Sequence, residues 1–519
     1  MNHFKPMRVI LLTATLGLAA PPDHAVADVK LPPVLSSHMV LQREMAVPIW
    51  GTAKPGEQIT VKFRDQEKKT EADKDGHWAV KLDALKAGGP DKLTVSGTNT
   101  VTLEDILVGE VWVGSGQSNM AGNVGGYAKG DEVLAKIAAE SYPKIRLLNG
   151  RGSWKEATSA NVNGFSAILF SFGLRLQQEL DVPVGLMVGA VGGTPSGPWL
   201  SEEAYNADPA CKDVIKKFAA TYPLEQLQKK YETDLPAWEK AAEAAKKDGK
   251  TPPVKPRPPL KAGEPSQKIG NLYEAHIRPM MPFGIRGVLW DQGESGTAIT
   301  GVDQYTLMGA LIRGWRKEWG QGDFPFLYIQ KPSGDGCAFN PEDPITNKAD
   351  KFAPLPAAVP GTQAGLYRET HIRIAQYPQT AMVVCTDLGH GVHPTNKSGY
   401  GSRASRVALG MVYGKKVEYY GPIYASHKVE GSKVRVSFTH LGAGLAFKHG
   451  EKLQGFAVAG EDKVFHWADA VIEGEGVVLS SEKVKNPVAV RYAWGSSHPW
   501  ANLFNQDGLP ALMFRTDGW

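Results

Sequence analysis

The sequence predicts an α/β protein with a parallel sheet covered by helices on both faces, flanked by two all-β modules. Three observations lead there. From Asp28 to about Leu107, short alternating runs are separated by turn residues. From Val108 to about Met411, apolar runs alternate with segments of helical period. Beyond Val417 the alternating pattern returns. At 519 residues the chain exceeds one ordinary core, and 42% hydrophobic against 22% charged residues is the balance of a folded globular protein.

The N-terminus reads as a signal peptide. Lys5 and Arg8 precede an apolar run from Val9 to Ala20, and Ala25-Val26-Ala27 presents small residues at the two positions a signal peptidase reads. The run is too short for a bilayer span, so cleavage after Ala27 and a secreted or periplasmic location are expected. No later run is long and apolar enough to span.

In the first module, 28–107, Val47–Trp50, Ile59–Phe63 and Trp78–Leu82 are divided by Gly51, Lys54-Pro-Gly56 and Asp75-Gly76, the pattern of a β-sandwich. The central domain, 108–414, offers strands at Val111–Val113, Val182–Ala190, Gly287–Trp290, Phe326–Gln330 and Ala381–Cys385, with helical patterns at Phe165–Leu180 and Tyr305–Trp319. Strand and helix in alternation imply crossover units on a parallel sheet. A polar insertion interrupts it at 204–266. Leu224–Lys247 is Lys/Glu/Ala-rich and helical, and the prolines of Thr251–Pro259 require extended chain. The last module, 415–519, carries Lys433–Phe438 and Val488–Tyr492 as alternating strands.

Several functions are disfavoured. A net charge of +4 over this length, without basic clusters interleaved with aromatics, argues against nucleic acid or an anionic membrane as partner. Cys211, Cys337 and Cys385 are too few and too widely spaced for a disulfide framework or a metal site, and Cys385 reads as a core thiol. No His/Asp/Glu cluster has metal-ligand spacing, and no phosphate loop or dinucleotide fingerprint appears, so no metal or organic cofactor is expected. Nothing in the sequence sets an oligomeric state.

Ligands of open parallel sheets bind beyond the carboxyl ends of the strands. Four polar loops follow expected strands there: Gly114–Asn119, Gly192-Gly-Thr194, Asp291-Gln-Gly-Glu294 and the segment from Asp387 to Lys397. A serine nucleophile needs a base within hydrogen-bond reach, and His393, which is read as opening a helix, is the candidate. The G-x-S-x-G elbow is absent, because Gly116-Gln-Ser118-Asn-Met120 lacks the second glycine. Donors for a developing oxyanion could come from the Ser118 N–H, Gly193 and the Gln292 amide.

Gly116–Met120 (GQSNM), Val182–Leu200, Met281–Gly296 and His393–Lys397 (HPTNK) resemble the sialate O-acetylesterases, within the SGNH hydrolase group. Met39–Glu44, Phe456–Ile472, Val488–Trp494 and Leu509–Trp519 extend the resemblance across nearly the whole chain after residue 27. It implies an SGNH-type three-layer α/β/α domain and a serine esterase acting on an acetylated sugar or glycan. Ser118 is then the nucleophile, His393 the base, and Ser118, Gly193 and Gln292 the oxyanion hole. Ser115 is left as a turn or support residue. Acetylated xylan or another polysaccharide is the alternative substrate, and a non-catalytic carbohydrate-binding protein the alternative class. Two departures stand out. The family text usually runs QGESN, but here it is Gln292-Gly-Glu-Ser-Gly296, so a side-chain amide is lost. The aspartate usually found two or three residues before the histidine is missing, because His390 and Gly391 stand there. Asp387 is therefore the first candidate for the acid orienting His393, Glu294 the second, and a backbone carbonyl the third. His390 is either a substrate contact or a solvated loop residue. Arg368 and Arg373 are placed to meet a substrate carboxylate if they do not simply face solvent.

Overall fold

The computed structural model describes Met1 and residues 28–332, 334, 336–337, 342, 344, 346 and 351–519. The expected signal peptide, apart from Met1, lies outside the described residues. The organising element is the strand Thr100–Gly116, which runs unbroken for 17 residues. Its burial alternates up to Asp105 and is continuous from Ile106 onward. Its first part has a solvated face and its second part is covered on both. The first part pairs antiparallel with Gly88–Ser96, and Leu107–Gly109 pairs parallel with Val40–Gln42. The second part pairs parallel with Val184–Ala190 on one side and Gly287–Asp291 on the other. The expected boundary between residues 107 and 108 thus falls inside one strand. The apolar run does not pause there because both parts bury it.

The central sheet runs in the order Thr380–Val383, Phe326–Ile329, Gly287–Asp291, Thr100–Gly116, Val184–Ala190, Tyr142–Asn149, Lys155–Ala157. All these pairs are parallel except the last, which is antiparallel. The chain leaves Thr100–Gly116 toward one edge, returns beside it and continues toward the other. The strand order therefore reverses at this strand, which is where open α/β sheets bind ligands.

Alternation along the buried strands divides the interior into two cores. Trp112, Leu186, Leu289 and Leu327 face one side, packed on helices Ala167–Leu180 and Lys397–Met411. Val113, Met187, Trp290 and Tyr328 face the other, packed on helix Gln304–Trp319. The second core runs on into Ile49, Val61, Trp78 and Leu93 of the N-terminal module. The helices start where the sequence supplies side-chain caps: Ser166 accepts from the Leu169 N–H, Asp303 from Thr306 and Asn396 from Gly399. The last cap corrects the expectation that His393 opens a helix. Asn396 caps it, the helix begins at Lys397, and His393 stays in the preceding loop.

In the insertion, Leu224–Lys247 is one helix with Pro236 inside it, and the following prolines have no regular structure. The Trp238 indole N–H donates to the Pro253 carbonyl at 2.8 Å and ties the two pieces together. The last module has two four-stranded antiparallel sheets enclosing Val436, Phe456, Leu479 and Trp494. Among the described residues no helix is long and apolar enough to cross a membrane. The three cysteines are buried and unpaired.

Candidate active site

The nucleophile turn is shaped by crowding. A Cβ at Gly114 would lie 2.7 Å from the Leu169 side chain, and one at Gly116 would lie 2.2 Å from the Asp291 carbonyl oxygen. Gly116 also adopts φ +124°, open to glycine and strained for other residues. The strand ends on glycine because the adjacent strand leaves no room for a side chain. The Gln117 N–H then donates to the Asp291 carbonyl at 2.8 Å, and a short helix begins at Ser118.

From Val111 to Met120 every residue is buried except Ser118, which is partly exposed. Ser115 sits within the sheet, its hydroxyl buried and without a hydrogen-bond partner among the described residues. Ser118 Oγ lies 2.8 Å from His393 Nε2, across a sequence separation of 275 residues. With the ring proton on Nδ1, Nε2 accepts from the serine hydroxyl, the geometry a general base requires.

A Cβ at Gly192 would stand 3.6 Å from Ser118 Cβ, so the turn after Val184–Ala190 borders the nucleophile. Gly193, at φ +71°, is exposed with open space around it. As the first residue of its helix, Ser118 has no intrahelical acceptor for its N–H. Gln292 does not act as a free donor as expected. Its Nε2 donates to the carbonyls of Gly296 at 3.0 Å and Thr194 at 3.3 Å, and its Oε1 accepts from Ser196 and Gln304. Buried among polar groups, the amide is spent on holding the Gly192–Thr194 turn.

The expected acid is also corrected. Asp387 places both carboxylate oxygens on Arg403, at 3.1 and 2.7 Å, and Arg403 donates to the Val384 carbonyl at 3.1 Å. A buried carboxylate pairs with the planar guanidinium that matches its geometry. Glu294 does not reach His393 either: its Oε1 accepts from Lys331 Nζ at 2.6 Å, and its Oε2 is buried without a partner among the described residues. His390 is exposed in the same loop as His393. Arg368 is buried and donates to the Pro332 and Ser496 carbonyls, while Arg373 lies over the Tyr305 ring at 4.5 Å. We expect Asp387→Asn to lower stability by about 3 kcal/mol, because a buried partner is lost. The kcat of the folded fraction should stay within about tenfold, against the roughly 10⁴-fold loss that follows when a triad aspartate is replaced. Urea unfolding together with turnover corrected for the folded fraction checks both.

Behind the nucleophile lies a buried charged cluster that sequence reasoning did not single out. Lys331, fully buried, pairs with Asp291 and Glu294. Burial works against its charge, but the two carboxylates outweigh it and raise its pKa. Lys397, also fully buried, donates to Asn119 Oδ1 at 2.5 Å and lies 4.4 Å from the Tyr127 ring centroid. Burial pushes Lys397 down to about 7. His371, buried with neither ring nitrogen partnered among the described residues, is pushed down to about 3 by burial and by Lys331 and Arg368, and is therefore neutral at pH 7. Lys331 stands just after Phe326–Ile329, at the same sheet edge as the other loops, and that position was the available signal. Among the described residues no group of three His, Cys, Asp or Glu is placed to hold a metal ion.

A family model described as carbohydrate esterase, sialic acid-specific acetylesterase, matches residues 108–222. The human sialate O-acetylesterase is 26% identical, with 89% of this chain and 86% of the human one covered. The rat sialate O-acetylesterase is 28% identical over 75% of this chain and 74% of its own. The crystal structure of a carbohydrate acetylesterase from Xanthomonas citri superposes with a TM-score of 0.72 at 30% identity, covering 95% of this chain and 100% of that one. A serine and histidine in contact at the switch point of a parallel sheet, in a chain aligned with such relatives over most of its length, place this protein in the sialate O-acetylesterase family, as a carboxylic ester hydrolase acting on O-acetylated sugar.

Proposed function

We propose that the chain is an exported serine esterase that removes O-acetyl groups from sialic acids through an acetyl-enzyme on Ser118. The observation that carries this reading is the 2.8 Å contact between Ser118 Oγ and His393 Nε2 beyond the central strand. Ser118 Oγ attacks the acetyl carbonyl carbon while His393 Nε2 takes its proton. The tetrahedral oxyanion accepts from the Ser118 and Gly193 N–H groups. His393 then protonates the sugar oxygen, the carbon–oxygen bond breaks, and the sugar leaves as its alcohol. Water attacks the acetyl-serine, gives its proton to His393, and acetate departs as Ser118 regains the proton. Gln292 acts in this scheme by fixing the turn that carries Gly193. Export rests on Lys5, Arg8, the apolar run after them and the site ending at Ala27.

Sialic acid as the sugar is supported by the names of the human and rat relatives. The test pairs acid-quenched peptide mapping with a substrate panel. With excess acetyl ester, an acetyl adduct is expected on the peptide containing Ser118. Acetate release is expected to be faster from O-acetylated sialic acid than from acetylated xylo-oligosaccharide. An adduct elsewhere overturns the mechanism, and the opposite order of rates overturns the choice of sugar.

A further inference from the structure

We propose that Asn119 is a positioning residue for the general base, holding the His393 loop against the nucleophile turn where a catalytic triad would place a carboxylate on Nδ1. The inference rests on the assignment of Ser118 and His393 above. Asn119 follows Ser118 directly and is fully buried. Its amide is specified at both ends. Oδ1 accepts from Lys397 Nζ at 2.5 Å, so Nδ2 faces the other way, donating to the Val392 carbonyl at 2.9 Å and lying 3.3 Å from Glu294 Oε1. Turned round, the amide would set its oxygen against the Val392 carbonyl and the Glu294 carboxylate, neither of which donates.

Val392 is the residue before His393, and it is 56% exposed. The tie therefore runs from the buried core to an exposed loop. It starts one peptide from the nucleophile and ends one peptide from the base. Together with the 2.8 Å contact between Ser118 and His393 it closes a ring of bonds through both catalytic side chains. Glu294, paired with Lys331 at 2.6 Å, braces the amide from the third side. Asp387 and Glu294, the two acids expected to orient the imidazole, are both engaged elsewhere. A base on an exposed loop needs such a restraint, since about 1 Å of displacement at a reacting centre costs on the order of 10²-fold.

The test is Asn119→Asp, which keeps size and removes the N–H groups, with kinetics normalised to titrated active sites. Per-site kcat is expected to fall on the order of 10²-fold, KM to stay within about twofold, and covalent labelling of Ser118 by a fluorophosphonate to slow by the same factor as kcat. A purely structural role would lower thermal stability and the number of titratable sites but leave per-site kcat and labelling rate unchanged. Lys397→Met, which frees Oδ1, should cost about tenfold in per-site kcat. Combined with Asn119→Ala it should cost no more than Asn119→Ala alone, because Lys397 acts through the amide. Per-site kcat within about threefold of the parent in either Asn119 variant overturns the inference. If those variants fail to fold, unchanged per-site kcat in Lys397→Met does the same. Active Asn119 variants beside an inactive Ser118→Ala sink this inference alone, whereas an active Ser118→Ala sinks the assignment beneath it.

Discussion

Replacing Ser118 by alanine is expected to lower kcat on an acetyl ester by a factor on the order of 10⁶, with the fold intact. The size of the effect follows from what remains. Without Oγ no acetyl-enzyme forms, and His393 has no hydroxyl to deprotonate. In the proposed scheme the Ser118 and Gly193 N–H groups would still bind a developing oxyanion, so a residual enhancement of about 10³ to 10⁴ over water is expected. The fold is expected to survive because Ser118 is partly exposed and, among the described residues, its only side-chain hydrogen bond is to exposed His393, so alanine opens no core cavity. Steady-state turnover beside circular dichroism checks both halves. Parental turnover in a folded variant would remove the nucleophile from the scheme.

His393→Ala is expected to lose about 10⁴ to 10⁶ in kcat, approaching the loss at Ser118, because nucleophile and base act as one unit. The double variant should then be scarcely worse than either single one. Exposure of His393 adds a sharper expectation. The alanine variant leaves a gap open to solvent beside Oγ, so added imidazole should restore part of the lost rate in a saturable way, and it should restore nothing to Ser118→Ala. Turnover across an imidazole titration is the measurement. Rescue absent from His393→Ala, together with a loss under about tenfold, would show that another group removes the proton.

Much of the architecture was legible in the residues. The buried parallel strands read as unbroken apolar runs, and Val184–Ala190, Gly287–Asp291 and Phe326–Ile329 stand within a residue or two of their expected places. The loops expected to carry the site do gather at one sheet edge, and Ser118 and His393 meet there. What sequence could not supply was the choice of partner among several groups brought together only by folding. Asp387 has a guanidinium within reach that neutralises it better than an imidazole would. Arg403 stands 16 residues on, and no spacing rule announced it. The Gln292 amide looks like a free donor in one dimension and is enclosed by Thr194, Ser196, Gly296 and Gln304 in three. Nothing in the spacing of Lys331 and Lys397 announces that the sheet edge closes over them and buries both. The expected boundary near residue 107 falls inside a strand for a related reason: a composition shift marks where burial changes, not where a strand is cut.

That continuous strand has a consequence for how the molecule can be rearranged. A chain trimmed to begin at residue 108 would start partway along the backbone ribbon that delivers Ser118 to the surface, and it would strip away the neighbour paired with Leu107–Gly109. The leading β module is thus not a detachable cassette. Recombination that swapped it would have to splice through the strand that leads to Ser118.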